Sequence, residues 1–492
     1  TDAPPACFLK AGSMPPRSSI GFGPACGILS DMTLSILLAA GLAVLGDGPY
    51  AGHVVVRTTV HSPREFLALS ALQPDFLTHT PRLGEPIEVH LDAAQLDAVR
   101  RLGIPFEITI TDLQAHADAL AAQVAAANAG DGTFYENYRN PDELRARMDA
   151  VAAGAPAMVT PVLIGASLEG RQIYGLSISA PDRLGNPRGH RPQALINGTQ
   201  HAREWVATMA TAYFAEHLVA LYAADPLVRD AVNRAQIVVV PVVNPDGYAH
   251  TWGPERFWRK NMRRNTSGTL HGVDLNRNWA YQWGGEGSSG NPSNQTYRGT
   301  AAFSEPETQA LRDFILANPR LAAHCDVHTS GNMVMSPWGY TAELPPDHPF
   351  FAAANEVIAG AIRAVNGLDF RRGPIYTTIY PASGVFVDWA YGDRGIKSWT
   401  FELRGGGFAP PPTEIMPACT ETFAGLLEVV RTALRPVCTA DANLDGVVDF
   451  TDFLIYLDLY VAGDPLADLD DDAAVDFNDF LQYLNLYNAG CP

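Results

Sequence analysis

The stretch 194-ALINGTQHAREWVATMATAYF-214 decides how the chain is read. Its opening, Ala194-Leu195-Ile196, has the character of a short buried strand, and VATMATAYFAEHLVALY (206–222) carries apolar residues at helical spacing. Between them His201, Arg203 and Glu204 crowd charge into an otherwise apolar segment. A strand-to-helix junction is where α/β folds place their chemistry. His201 and Glu204, three apart at a helix start, can face one point, and imidazole and carboxylate both bind zinc.

Outward from this junction, strand-like and helix-like segments alternate from Phe134 to about Leu434. PVLIGAS (161–167), QIYGLSIS (172–179), QIVVVPVV (236–243), CDVHTS (325–330) and KSWTFELR (397–404) read as strands, with helical patterns such as EPETQALRDFILANP (305–319) between them. Several strands are apolar throughout, as in a sheet covered on both faces. The expectation is a single α/β domain over 134–436, with a mixed, largely parallel sheet between two helical layers. A catalytic zinc takes three protein ligands and keeps one position open. In 323-AHCDVHTSGN-332 strand alternation turns His324, Asp326 and His328 to one face, and His328, nearest the strand's end, is the best third candidate.

Residues 51–120 follow another plan. HVVVRTTV, PIEVHL and PFEITI read as strands. SPREFLALSAL is a helix capped by Ser62 with Pro63 and Glu65 in its first turn. DAAQLDAVRRLG is a second helix, with Asp92 and Gln95 as a capping box and Gly103 as its stop. With FLTHT (76–80) as a further strand the order is β-α-β-β-α-β, a small ferredoxin-like α+β domain. The Ala-rich segment 121–133 reads as a linker, helical at first and broken at Gly130 and Gly132. The apolar run 34–45 after Met32 fits a signal-peptide core, which sets 32–50 apart as a signal segment, with a buried helix as the other reading. Residues 1–31 are an upstream segment of uncertain role.

The net charge of −19 argues against a nucleic-acid binder. Twelve of the aspartates lie from Pro436 onward, where there is no Glu, Lys or Arg, so 437–492 is a separate acidic module. FTDFLIYLDLY (450–460) and FNDFLQYLNLY (477–487) form a repeat. Each follows an acidic loop: Asp441, Asn443, Asp445, Asp449 and Asp452 in the first, Asp468, Asp470, Asp472, Asp476 and Asp479 in the second. These occupy positions 1, 3, 5, 9 and 12 of an EF-hand-like loop, where oxygens converge on Ca²⁺. Gly446 stands at the sharp turn of the first loop; Ala473 stands there in the second, which makes that the weaker site. The pair resembles a dockerin domain, a small α-helical paired calcium-loop module, which implies a protein partner. Cys438 and Cys491 bracket the module and fit a disulfide, which suits a secreted or extracytoplasmic protein. The pairing of Cys7, Cys26, Cys325 and Cys419 is open.

The large domain carries H201-ARE-W205, R256-FWR-K260, V273-DLNRN-W279, D326-VHT-S330, I379-YPAS-G384 and T400-FEL-R404. In that order these motifs resemble the zinc metallocarboxypeptidases of the carboxypeptidase A and B type. The resemblance implies that His201, Glu204 and His328 hold one Zn²⁺, a His₂Glu set for which carboxypeptidase A is the type example. It implies that the metal polarises the scissile carbonyl and acidifies a water, that Glu402 takes the water's proton and passes it to the leaving amine, and that Arg259 faces the developing oxyanion. Asn276 and Arg277 would receive the substrate's terminal carboxylate, Tyr380 would close over it, Arg203 would extend the peptide-binding side, and Asp274 would orient His201.

Val387 stands where the family's basic-residue cleavers carry Asp, which implies a preference for apolar or aromatic C-terminal residues. Val385 and Phe386 are bulkier than expected there and would narrow the pocket toward aliphatic residues. Asp388 is a rival charge, turned away if the segment is a strand. Placed before this domain, the α+β domain resembles the family's activation propeptide. No Lys or Arg lies between Ile110 and Tyr138, so a trypsin-like cut has no target there; either another protease cuts the linker or the segment stays attached. Cleavage of cell-wall or modified peptides, a catalytically silent binding protein, and calcium-dependent docking with secondary hydrolysis are the competing functions. No G-x-S-x-G elbow supports a serine hydrolase.

Overall fold

The computed structural model describes residues 48–78, 83–128, 133–181, 191–405, 407–434, 440–442, 447–464, 467, 469 and 474–490. The signal-like run, Cys438, Cys491, and loop residues Asn443, Asp445, Asp468, Asp470 and Asp472 lie outside the described residues.

The N-terminal domain comprises β1 (Val54–Thr59), α1 (Pro63–Ser70), β2 (Asp75–Phe76), β3 (Pro86–Leu91), α2 (Ala93–Leu102) and β4 (Phe106–Ile110). Its sheet is antiparallel in the order β2-β3-β1-β4. The Ser62 side chain accepts from Glu65 N, a cap worth about 1 kcal/mol. Asp92 and Gln95 close a capping box, and Gly103 ends α2 at φ 71°. The expected strand at FLTHT is displaced: β2 is only Asp75–Phe76. After it Leu77 N and Thr78 N both donate to Glu88 O, so the regular ladder stops.

Helix α3 (Leu113–Asn128) joins the domains. Its first half packs Leu113 and Ala117 with Tyr50 and Val55 of the N-terminal domain, and its second half packs Leu120 and Val124 into the core of the large domain. The helix therefore serves a different core at each end; within the Ala-rich segment Val124 makes the buried contact, while Ala121, Ala122, Ala125 and Ala126 are exposed.

The large domain runs through α4 (Pro141–Gly154), β5 (Val159–Ala166), β6 (Gln172–Ile178), β7 (Gln193–Gly198), α5 (Trp205–Ala220), α6 (Pro226–Arg234), β8 (Gln236–Val240), α7 (Pro245–Thr251), α8 (Pro306–Ala317), β9 (Leu321–Thr329), β10 (Met333–Ser336), α9 (His348–Asn366), β11 (Arg371–Pro374), α10 (Ile375–Thr378), α11 (Phe386–Gly392), β12 (Lys397–Leu403) and α12 (Ile415–Ala433). The sheet is mixed, in the order β11-β10-β12-β9-β7-β8-β6-β5. Its middle four strands, β12, β9, β7 and β8, are parallel. Alternation along these strands divides the core. Ala194, Ile196, Ile237 and Val239 pack under α4, α5, α9 and α12, while Leu195, Val238 and Val240 pack with residues of α8 and α11 on the other face. The carboxyl ends of the four parallel strands lie on one side of the sheet, the side where ligands usually bind in such sheets.

At the C-terminus, α13 (Phe450–Val461) and α14 (Phe477–Ala489) repeat one another in detail. Asp449 and Asp476 cap them, each boxed with the aspartate three residues on, Asp452 and Asp479. The Tyr456 and Tyr483 rings stack in parallel at 3.8 Å, and their hydroxyls donate to Ala467 O and Ala440 O, both at 3.2 Å. Among the described residues, no helix is long and apolar enough to cross a membrane.

Candidate active site

His201 and Glu204 sit in the turn between β7 and α5, with Glu204 at the N-cap position. His328 lies one residue before the end of β9, the strand adjacent to β7. All three are buried, and one ligand atom from each lies within 4.8 Å of the others. His201 Nδ1 is 2.8 Å from Glu204 Oε1, His328 Nδ1 is 2.9 Å from Oε2, and the two Nδ1 atoms are 3.0 Å apart. The other ring nitrogens are already committed, His201 Nε2 to Asp274 at 3.1 Å and His328 Nε2 to Asp326 at 2.7 Å. With Nε2 donating to a carboxylate, each Nδ1 presents a lone pair, and two lone pairs and a carboxylate converge on one buried point. That donor set fits a zinc ion, whose bonds to such ligands are about 2.0–2.2 Å. Burial pushes the Glu204 carboxyl up, but the two imidazoles outweigh it and hold it well below the usual carboxylate range.

His324, on the same strand face, is placed elsewhere. It contacts Ser398 Oγ at 2.6 Å and Asn197 Oδ1 at 2.8 Å, and burial pushes its imidazole down to about 4, so it is a neutral packing group. Asp326 is the residue whose part sequence reasoning missed. Asn197 and Gln200 donate to it at 2.7 and 2.5 Å, which aims it at His328. Its position two residues before His328 on one strand face was the available signal.

Glu402, buried on β12, stands opposite His328 of β9 in the parallel register and opposite Met333 of β10. Arg259 directs Nε and Nη2 to Asp274 Oδ2 at 3.2 and 3.0 Å, with Nη1 3.9 Å from Glu204 Oε1. One carboxylate, Asp274, thus holds both a histidine of the cluster and this guanidinium. Burial would raise its pKa, but Arg259, His201 and Arg277 hold it well below the usual range.

Asn276 is brought to the cluster, its Nδ2 3.2 Å from His328 Nε2, while its Oδ1 accepts from Phe386 N at 2.9 Å. Arg277 gives Nε to Gly287 O and Nη1 to Asn276 O, both at 2.8 Å, and its guanidinium lies 5.9 Å from the Tyr380 ring centre. Beside them Met333, Met335, Ile375, Ala382, Val385 and Val387 form a buried apolar cluster edged by Ile379 and Tyr380. Val387 and Asp388 belong to helix α11, not to a strand, so the angular step of a helix separates them. The Asp388 carboxylate accepts from Gly339 N and Tyr340 N, and burial pushes it up to about 7. Phe386 also departs from expectation. Its ring stacks on Trp279 at 3.7 Å, on the other side of the helix, so Val385 alone of the two bulky residues joins the apolar cluster.

Arg203 faces the N-terminal domain. Both terminal nitrogens engage the Asp75 carboxylate of β2, with Nη2 at 3.0 Å, and the guanidinium lies 3.8 Å over the Phe408 ring. Nearby Phe257 N donates to the Tyr50 hydroxyl at 2.8 Å. Burial raises the Asp75 carboxyl, but Arg203 and then His90 hold it far below the usual range.

A buried His₂Glu cluster at the carboxyl ends of parallel strands, with a carboxylate and an arginine beside it, defines a metallohydrolase centre. The profile of the zinc carboxypeptidase family matches residues 144–425, and the chain belongs to that family: it is a metallocarboxypeptidase of the A/B type. It is 34% identical to carboxypeptidase A1 of Rattus norvegicus over 81% of this chain and 97% of that protein. It is 31% identical to carboxypeptidase B of Bos taurus over 83% and 98%. The fold is similar to that of carboxypeptidase A from Helicoverpa armigera (TM-score 0.71, 29% identity, 79% of this chain and 98% of that one).

Proposed function

We propose that the chain is a zinc-dependent exopeptidase acting outside the cytoplasm, removing apolar C-terminal residues from peptides, and held in check by its N-terminal domain. The convergence of His201, Glu204 and His328 carries this reading. Zinc bound there supplies a Lewis acid that polarises the scissile carbonyl and acidifies water. Glu402, beside His328 on the neighbouring strand, takes the water's proton and returns it to the leaving amine. Arg259, fixed by Asp274, faces the oxygen that becomes negative. Arg277 and Asn276 receive the terminal carboxylate, and Tyr380 covers it.

The pocket around Val387 is lined by the apolar cluster, and the neighbouring Asp388 is spent on backbone amides, so a substrate Lys or Arg would lose its hydration there without a counter-charge from it. Val385 fills part of the pocket, which favours Leu or Ile over Phe or Trp. Release from blocked dipeptides ending in Leu, Phe, Arg and Glu, with and without a zinc chelator, tests both points. Leu should be the best substrate, and Val385→Gly should shift the kcat/KM ratio of Phe to Leu upward by roughly tenfold, the scale of one or two methylenes in a pocket. An unchanged ratio would remove Val385 from the pocket wall.

The Asp75–Arg203 pair supports the inhibitory role of the N-terminal domain, because it ties that domain to the turn that carries His201 and Glu204 and is almost wholly buried. Removing one partner of such a pair costs about 3–5 kcal/mol. Full-length Asp75→Ala should therefore hydrolyse peptides at least about tenfold faster than the uncut parent. Equal rates would show that this contact does not hold the domain in place. The pseudo-symmetry of α13 and α14 favours two calcium sites in the C-terminal module. Equilibrium dialysis should find two calcium ions per chain, the weaker lost first in Asp476→Ala; no bound calcium at millimolar concentration would refute this.

A further inference from the structure

The loop that carries Tyr380 runs from the end of α10 at Thr378 to the start of α11 at Phe386. Its backbone is tied on both sides of the tyrosine. Ile379 N donates to Ile375 O at 2.9 Å, Ala382 N to Gly339 O at 2.7 Å and Ser383 N to Glu286 O at 2.9 Å, while Gly384 O accepts from Trp279 N at 3.0 Å. Pro381 stands directly after Tyr380. A proline ring fixes its own φ and confines the residue before it to extended conformations, so Tyr380 keeps little backbone freedom. The loop is also seated on the segment that holds Arg277. Gly287 O accepts from Arg277 Nε at 2.8 Å, and a Cβ on Gly287 would overlap Pro381 O. Gly384 makes a second close approach, where a Cβ would lie 2.6 Å from Arg277 O. The Tyr376 hydroxyl adds a bond to Glu286 Oε2 at 3.2 Å.

We propose that Pro381, seated on Gly287, positions Tyr380 beside Arg277 ahead of binding, so that the receiver for the terminal carboxylate is preformed and needs no closing movement of the loop. The proposal deepens the carboxypeptidase reading and rests on it. All the contacts that fix the loop are internal to the chain, and most run between backbone atoms, so they persist whatever the substrate's side chain. They interlock three segments, 276–279, 284–288 and 379–385. Within that frame the Arg277 guanidinium lies 5.9 Å from the centre of the Tyr380 ring. A group that occupies its binding position only part of the time weakens binding by that fraction. Proline raises the fraction, because it removes alternative conformations from the loop. A receiver ordered in advance also spares the substrate the cost of ordering it. Gly287 serves both members of the receiver at once: its carbonyl orients Arg277, and its missing side chain leaves room for Pro381.

The test uses the full-length chain nicked within 113–133 by an elastase-type protease, with both fragments kept in solution and acetyl-Ala-Ala-Leu as substrate. Pro381→Gly frees the loop and should raise KM roughly fivefold with kcat little changed, and Pro381→Ala should fall between it and the parent. The inhibition constant of 4-methylpentanoate, a carboxylate with a leucine-like tail, should rise by the same factor, since it reads binding without turnover. Gly287→Ala should raise both at least as far. Gly284→Ala separates collision from backbone strain. Gly284 has φ 90°, yet its Cβ would meet nothing closer than Arg298 Nε at 3.7 Å, so KM should stay near that of the parent. A KM and an inhibition constant unchanged in Pro381→Gly overturn the proposal and leave the peptidase standing. A fall in kcat at constant KM does the same, because it places the proline's effect in the transition state. The unmutated protein decides the question even where a variant fails to fold. In hydrogen exchange, peptides covering 379–385 should be protected already, and saturating 4-methylpentanoate should slow them by less than about twofold. A larger slowing shows the loop closing on its ligand and overturns the proposal. No release from any peptide, with zinc bound, overturns both readings.

Discussion

Glu402→Gln should lower kcat by about a thousandfold or more, within the range ascribed to general acid–base groups, while leaving zinc content and fold intact. The argument rests on position. Glu402 is an interior residue of β12, buried between β9 and β10, so the isosteric amide keeps the packing of the strand. The carboxylates of Glu204, Asp274 and Asp326 are each tied to His201 or His328, and changing any of them disturbs the cluster itself. Glu402 can therefore be tested for proton transfer with the metal still held. Substrate binding should change little, so kcat and kcat/KM should fall together, the mark of an interaction made in the transition state. A loss of less than about tenfold would assign the proton transfer to another group.

The chemistry was more legible in the sequence than the walls of the cleft. HAREW stood out because charge in an apolar segment has few structural uses, and strand alternation in AHCDVHTS narrowed the third ligand to one face. Adjacent parallel strands then did the rest: Asn197 of β7 pairs with Asp326 of β9, which brings the turn after one strand to the end of the other. SGVFVDWAYG was harder. Helix α11 is buried on every side from Phe386 to Tyr391, and a segment buried all round, apolar but for Asp388, carries neither a period of two nor of 3.6. The β-branched and aromatic residues that suggest a strand are there because tertiary packing demands bulk. Asp75 was illegible for another reason. It is one acidic residue in a two-residue strand, and its partner lies 128 positions away. Nothing local distinguishes it from a solvated turn aspartate, because its burial is created by the meeting of two domains.

The second large effect is expected at Asp274, where one carboxylate holds two side chains. Its Oδ1 takes His201 Nε2 at 3.1 Å and its Oδ2 takes the Arg259 guanidinium at 3.0 Å. In Asp274→Ala the imidazole loses the partner that fixes its tautomer, which should weaken zinc about 10- to 100-fold in chelator competition. Arg259 loses its anchor, and an oxyanion donor that is no longer fixed costs up to about 10²–10³ in kcat, measured at saturating zinc. Arg259→Ala should reproduce the kcat loss without the loss of metal affinity. The two substitutions combined should cost far less than the product of their separate kcat effects, since both remove the same oriented guanidinium. Asp274→Asn separates the roles further. It keeps the size of the side chain and one acceptor oxygen, so it should hold His201 better than alanine does while pairing poorly with the guanidinium. If the kcat effects of Asp274→Ala and Arg259→Ala instead multiply, Asp274 acts on catalysis through His201 alone, and Arg259 is positioned by some other group.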